Sequence, residues 1–183
     1  MQTTIVVVLV LVLIAAVVAI WVYNQRRKSQ QLRERFGPEY EHAVQEHGER
    51  EGAERELAAR AERVEQLHIR PLPPDESARY GEAWRGVQAR FVDEPNVAIA
   101  EADRLVAEVM QARGYPMGEF EQRAADVSVN HPRVVENYRA AHAIAGRSER
   151  GEASTEDLRQ AMVHYRALFA ELIETPETAE VQR

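Results

Sequence analysis

The sequence predicts an all-α protein with an N-terminal single transmembrane helix, a helical stalk and a compact bundle of about five helices. Three observations predict this class. Residues 5–23 form a run of 19 residues without a charge. A stretch rich in Glu, Arg and Ala follows this run. Beyond Pro74 the apolar residues recur three or four positions apart, as on one face of a helix, with no strand-like alternation of useful length.

The charge-free run from Ile5 to Tyr23 predicts a membrane anchor covering residues 1–25. As a helix it would span roughly 28 Å, which matches the hydrocarbon core of a bilayer. In lipid only a helix lets an isolated segment satisfy its own backbone hydrogen bonds, so the bilayer overrides the low helix propensity of the β-branched residues. Trp21 and Tyr23 then fall where an aromatic belt is expected.

The charges beside the anchor predict its orientation. The residues before it include no Lys or Arg, whereas Arg26, Arg27 and Lys28 follow it closely. The positive-inside rule therefore places the N-terminus outside the cell and the C-terminal domain in the cytoplasm, at the cell membrane. The alternative is a cleaved secretory signal, which would make the domain secreted or extracytoplasmic. That alternative needs a basic stretch before the apolar core, and this stretch is missing.

Residues 26–70 are predicted to form a basic juxtamembrane segment and a charged helical stalk. The anchor helix is expected to continue to Arg35 and to break at Gly37-Pro38, because proline removes a backbone donor and restricts the residue before it. A second helical stretch is predicted from Glu39 to about His68. We expect this stretch to be solvated, because its apolar residues do not keep one phase.

Two patterns would permit a homodimer through the anchor or the stalk. Ala15 and Ala19 have the small-xxx-small spacing that lets membrane helices approach closely. Leu57, Ala61 and Val64 have the four-three spacing of a coiled-coil seam, although only this short part of the stalk keeps it.

Residues 71–175 are predicted to form the helical bundle, and residues 176–183 a disordered tail. Pro132 is expected to begin the fourth bundle helix, and Ser154 to Asp157 to cap the fifth. Short connections make consecutive helices antiparallel. The five predicted apolar stripes are Tyr80, Trp84, Val87 and Phe91; Ala98, Ala102, Leu105 and Val109; Phe120, Ala124 and Val127; Val134, Tyr138, Ala141 and Ala145; and Leu158, Ala161, Met162, Tyr165, Leu168, Phe169 and Leu172.

The amino-acid sequence of the bundle also resembles a known group of proteins. The runs YGEAWRGVQARFVDEP, EADRLVAEVMQARGYPMGEFEQRAADVSVNHPRVVENYRAAHAIA and STEDLRQAMVHYRALFAEL resemble an uncharacterised family of membrane-anchored proteins from high-GC bacteria. The resemblance covers roughly Arg63 to Leu172 together with the anchor. It implies the anchored helical architecture, but no activity and no catalytic residue.

The residues best suited to chemistry are His131, Asn137 and His142, with His164 nearby in the sequence. No HxxxH or HExxH pair, phosphate loop or nucleophile motif occurs, and there are no cysteines. We therefore predict no catalytic, cofactor-binding or metal-binding residue. His142 is expected to be a boundary histidine bonded to a neighbour, and His164 to be solvated. His131, which precedes Pro132, is expected to cap or terminate the loop and so to be structural.

Charge narrows the classes of partner. Residues 71–183 hold 13 basic and 20 acidic groups, which accounts for the net charge of -7 and disfavours nucleic acid as a partner. The sequence therefore predicts a membrane-tethered helical interaction or scaffold protein that is not an enzyme, with the lipid bilayer and an unidentified protein as partners. The alternative is a small-molecule sensor or enzyme that uses the polar cluster near His131, Asn137 and His142.

Overall fold

The computed structural model describes the backbone of residues 2–174 and the side chains of residues 13–174. Over this range the chain forms α-helices and no strand, so the predicted all-α class is confirmed. The predicted tail at residues 176–183 lies outside the described residues. The eight helices are α1 (Gln2–Phe36), α2 (Pro38–His47), α3 (Arg50–Glu65), α4 (Pro74–Arg90), α5 (Pro95–Arg113), α6 (Phe120–Asn130), α7 (Val135–Glu149) and α8 (Thr155–Glu174).

The chain divides into two compact units, Met1–Leu57 and Ala58–Arg183. The division falls inside α3, within the stretch that the sequence assigns to the stalk. The N-terminal unit therefore contains α1, α2 and the first part of α3. The C-terminal unit contains the rest of α3 and the bundle helices α4 to α8.

The predicted anchor from Ile5 to Tyr23 lies on α1, which runs without a break from Gln2 to Phe36. Its portion before Leu13 lies outside the described side chains. Among the residues that the structure describes, no helix has the length and apolar character needed to cross a membrane. The described helices therefore do not support the predicted transmembrane helix.

Two glycines shape the N-terminal unit. The break predicted at Gly37-Pro38 is confirmed, with a φ of 48° at Gly37. The helix predicted from Glu39 to His68 is wrong as one element, because Gly48 ends α2 in a left-handed conformation with a φ of 69°. The backbone N–H of Gly48 donates to Val44 at 3.0 Å and caps the helix, which is a common role of glycine at this position.

The expectation of a solvated stalk is also wrong. Phe36, Tyr40 and Leu57 are at most 1% exposed. The physical reason lies in the turns at Gly37 and Gly48, which let short helices fold back and cover apolar side chains that a straight stalk would leave in water. Dimerisation through the anchor or the Leu57 seam stays a prediction.

The core of the C-terminal unit is the predicted set of stripes on α4 to α8. The middle of each stripe is buried, and the edge residues Tyr80, Phe91, Phe120 and Val134 are partly buried against it. Trp84 of α4 stacks on Phe169 of α8, with ring centroids 4.6 Å apart and an interplanar angle of 18°. Amphipathic periodicity therefore predicted both the helices and their buried faces.

The ends of two bundle helices differ in how well they were predicted. Ser154 and Asp157 form the expected reciprocal cap, since the Asp157 N–H donates to Ser154 Oγ at 3.1 Å and the Ser154 N–H donates to Asp157 Oδ2 at 2.9 Å. In contrast, α7 begins at Val135 rather than at Pro132. The residues between form a turn, in which the Val134 N–H donates to the His131 carbonyl at 3.2 Å.

Candidate functional site

A polar cluster joins helices α5, α7 and α8 of the bundle. Asp103 on α5 accepts a hydrogen bond from the Tyr165 hydroxyl of α8 at 2.7 Å. The same oxygen, Oδ1, lies 3.3 Å from Nδ1 of His142 on α7. On its other side the His142 ring stacks on Phe120, with centroids 3.7 Å apart and an interplanar angle of 6°. The imidazole is thus held between an aromatic ring and a carboxylate.

These contacts fix the charge state of Asp103. Burial raises the pKa of its carboxyl, but hydrogen bonds from His142 and Tyr165 lower it, and the net pKa lies below the ordinary value. Burial and the Asp103 charge both raise the pKa of the Tyr165 hydroxyl. Tyr165 therefore stays a hydrogen-bond donor, and Asp103 stays an anion at neutral pH.

Asp103 and His142 line a half-open groove of about 430 Å³ between α5 and α7. The hydroxyl of Ser148 donates to Oδ1 of Asn96 at 2.9 Å across one part of this groove. We call it the α5–α7 groove; its lining consists of Asn96, Val97, Ile99, Ala100, Asp103, His142, Ala145, Gly146, Ser148 and Glu149. The arrangement can bind a small group through a fixed carboxylate beside an apolar wall.

The structure does not give the three predicted polar residues a common partner. His142 bonds to Asp103, as expected of a boundary histidine. Oδ1 of Asn137 accepts a hydrogen bond from Nδ1 of His164 at 2.8 Å. The expectation that His164 is solvated is therefore wrong, because this ring is half-buried and bonded to α7.

His131 is the C-cap residue of α6, and its backbone N–H donates to the Val127 carbonyl at 2.8 Å. Its side chain is buried at 2% exposure, with Nε2 3.4 Å from Nη1 of Arg113 and Nδ1 3.4 Å from Oε1 of Glu171. Burial lowers the pKa of His131, and the positive charge of Arg113 lowers it further, against the opposing effect of Glu171. The imidazole is therefore neutral at pH 7.

Arg113 links several parts of the C-terminal unit. Its Nη1 donates to the Leu172 carbonyl at 2.8 Å, and its backbone carbonyl accepts from the Arg70 N–H at 2.9 Å. The next residue, Gly114, has a φ of 100°, and a β-carbon there would lie 2.5 Å from the His68 carbonyl oxygen. The segment before α4 is thus held on the bundle by backbone contacts that no side-chain pattern revealed.

The N-terminal unit holds a second polar cluster that sequence reasoning missed. Oε1 of Glu54 accepts hydrogen bonds from Ser29 at 2.7 Å, Tyr40 at 2.7 Å and Arg50 at 2.7 Å. Burial raises the pKa of Glu54, but these donors together lower it below the ordinary value. The cluster connects α1, α2 and α3 through hydrogen bonds, so its role is to stabilise the packing of these helices.

Asp103 was also missed, because its partners are distant in sequence. His142 lies 39 positions away and Tyr165 lies 62 positions away. The available signal was an acidic residue directly beside the apolar stripe residue Ala102, where a helix meets its neighbours. Such a position favours a buried or half-buried carboxylate, which needs a donor from another helix.

Comparisons of the chain with protein-family models, curated proteins and solved structures give no match. The resemblance to an uncharacterised family of membrane-anchored proteins therefore stays a prediction, and the functional argument rests on the sequence and the structure.

Proposed function

We propose that this protein is a membrane-tethered helical interaction protein, in which the first part of α1 crosses the bilayer and the C-terminal unit binds a protein partner in the cytoplasm. The observation that carries the proposal is the exposure of large apolar side chains on α1. Leu13 is 65% exposed, Val17 is 59% exposed and Trp21 is 65% exposed. Apolar side chains on this scale are costly in water, whereas a bilayer would cover them.

The continuity of α1 also supports a tether. The charge-free run begins at Ile5, and the helix continues past it to Phe36. Arg26, Arg27 and Lys28 follow the aromatic residues Trp21 and Tyr23, where they would meet anionic headgroups on the cytoplasmic side.

Two features of the C-terminal unit favour an interaction role over catalysis. Its ionisable groups in the interior are engaged in holding helices together: Asp103 joins α5, α7 and α8, and Arg113 joins α5 to the carbonyl of Leu172. In addition, residues 71–183 carry an excess of acidic groups, 20 against 13 basic ones. An acidic helical surface favours a protein partner with a basic face and disfavours nucleic acid.

The tether and its orientation are tested with a reporter fused to the C-terminus of the full chain. We expect the reporter to be active in the cytoplasm and the chain to sediment with membranes after washing at alkaline pH. Replacing Arg26, Arg27 and Lys28 with glutamine should weaken this orientation. Replacing the exposed Arg104 and Arg159 with glutamine is the matched control and should leave it unchanged. A reporter active only outside the cell, or a chain found free of membranes, contradicts the proposal.

The interaction role is tested by proximity labelling from the same C-terminus. The control is a chain in which residues 58–183 are replaced by an unrelated soluble helical domain on the same tether. We expect a set of neighbours that is labelled only by the native chain and that a basic partner protein dominates. Identical labelling by the two chains would show that the C-terminal unit contributes no specific contact.

A further inference from the structure

We propose that the α5–α7 groove binds a small organic cation, namely a protonated amine on a short hydrocarbon stem. This site goes beyond the tethering role proposed above and does not depend on it. The groove has a volume of about 430 Å³, which leaves room for such a molecule between α5 and α7.

The charge of the groove selects a cation. Asp103 and Glu149 supply two carboxylates to its lining. The positive charge of Arg123, which is not a lining residue, lowers the pKa of Asp103. No Lys or Arg lies among the lining residues of this groove. Arg150, whose Nη1 would lie 3.6 Å from a β-carbon at Gly146, donates to the carboxylate of Glu152 at 2.9 Å. An anionic ligand would therefore face repulsion from Asp103 and Glu149, whereas an ammonium group gains attraction.

The geometry of Asp103 leaves one oxygen for a ligand. Its two hydrogen bonds, from Tyr165 and His142, both go to Oδ1. Within the described part of the chain, no hydrogen bond to Oδ2 accompanies them, and the side chain keeps 29% of its surface exposed. The carboxylate is therefore oriented before a ligand arrives, which reduces the entropic cost of forming a charge-assisted hydrogen bond.

The rest of the lining fits a hydrocarbon stem. Val97, Ile99, Ala100 and Ala145 give the groove an apolar wall beside the carboxylate. Gly146 also lines the groove, and a β-carbon placed there would meet only the flexible end of Arg150, at 3.6 Å. The absence of a side chain at this position keeps the groove open, and a larger residue there would fill it.

The test is isothermal titration calorimetry of the full chain in detergent micelles with n-butylammonium chloride at neutral pH, after subtraction of the heat from empty micelles. We expect saturable binding with a Kd of roughly 1 mM, as for a ligand of few atoms. The neutral isostere 1-butanol should bind at least about tenfold more weakly, because it cannot form the charge-assisted bond. Calcium chloride measures the response to a simple metal cation.

Two variants locate the site. Asp103→Asn removes the charge but keeps an acceptor for Tyr165, and Gly146→Leu fills the groove. Each should weaken n-butylammonium binding by at least about tenfold. Their matched controls are Glu108→Gln on the same helix as Asp103 and Gly81→Leu, at a glycine with no atom within 4 Å of an added β-carbon. Both controls should bind within about twofold of the native chain.

Thermal melts followed by circular dichroism establish which variants fold. If Asp103→Asn unfolds, the binding measured with Gly146→Leu alone tests the proposal. We expect this variant to fold, because leucine has a higher helix propensity than glycine. The proposal is overturned if the native chain does not bind n-butylammonium, if 1-butanol or calcium binds as well as n-butylammonium, or if folded Gly146→Leu retains native affinity.

Discussion

The stacked pair Trp84 and Phe169 offers a quantitative test of the bundle. Trp84 is 6% exposed and Phe169 is 5% exposed, and their ring centroids lie 4.6 Å apart. Replacing either by alanine removes a buried aromatic side chain and leaves a cavity, for which the expected cost is roughly 3 to 5 kcal/mol of unfolding free energy. Each variant thus loses a large fraction of the stability of an ordinary domain.

Stacking adds a separate expectation. An aromatic pair contributes about 0.5 to 1.5 kcal/mol beyond the area that it buries. The double variant of Trp84 and Phe169 should therefore lose less stability than the two single variants together, by about 1 kcal/mol. If the alanine variants do not fold, a cycle with Trp84→Phe and Phe169→Leu keeps the test available at a smaller cost.

The assay is urea denaturation of the full chain in a mild detergent, followed by circular dichroism. Trp21, the other tryptophan of the chain, is 65% exposed, so Trp21→Ala is the matched control and should change the unfolding free energy by less than about 0.5 kcal/mol. Losses below about 1 kcal/mol for Trp84→Ala and Phe169→Ala would refute the packing of α4 on α8.

Three further predictions follow from the C-terminal unit. Folding lowers the pKa of His131, so the unfolded chain binds more protons at this residue than the folded chain does. The contribution of His131 to stability is therefore complete above about pH 6.5 and declines as the pH falls below that value. The urea midpoints measured at about pH 7.5 and 5.5 should differ less in His131→Gln than in the native chain. Gly114→Ala should destabilise the chain by at least roughly 1 to 3 kcal/mol in thermal melts, because of its positive φ and the close carbonyl, whereas Gly81→Ala should be stabilising. A fragment of residues 58–183 should be more resistant to urea than one of residues 71–183, and equal midpoints would contradict the role of the segment before α4.

The reason for the fragment prediction is an ion pair between the buried Asp126 and the partly exposed Arg63. Asp126 is 1% exposed, and its Oδ1 accepts hydrogen bonds from Arg63 at 2.9 Å and from Gln122 at 2.9 Å. A fragment that begins at Pro71 lacks Arg63 and so leaves the Asp126 carboxylate without its cation. Removing one partner of a buried charge pair is strongly destabilising, since the remaining charge is no longer compensated.

The helices of the bundle were predictable because their signals are local. Amphipathic spacing along each segment defines the face that must be buried, and the stripes on α5 and α8 correspond closely to the observed core. Caps are local as well. Ser154 and Asp157 bond to each other across three positions, so the start of α8 follows from the sequence alone.

Other features were decided by tertiary contacts. A glycine within a helical pattern lowers stability without fixing where the helix ends, so the left-handed turn at Gly48 did not follow from composition. The burial of Tyr40 and Leu57 was likewise not predicted, because it depends on tertiary packing in a unit where hydrogen bonds of Glu54 join α3 to α1 and α2. The start of α7 at Val135 likewise depends on the turn after His131.

The sequence by itself therefore determined the helical class, the charge-free N-terminal run, the acidic excess beyond Pro71 and most helix faces. These are properties of composition and of spacing within one turn or two. Only the tertiary structure decided that Asp103 meets His142 and Tyr165, and that Arg113 reaches Leu172. Such pairings join residues far apart in sequence, and no local rule selects among the many donors that a buried carboxylate or guanidinium could reach. Packing of whole helices makes that choice, because it places a few polar groups within hydrogen-bond distance and excludes water from around them.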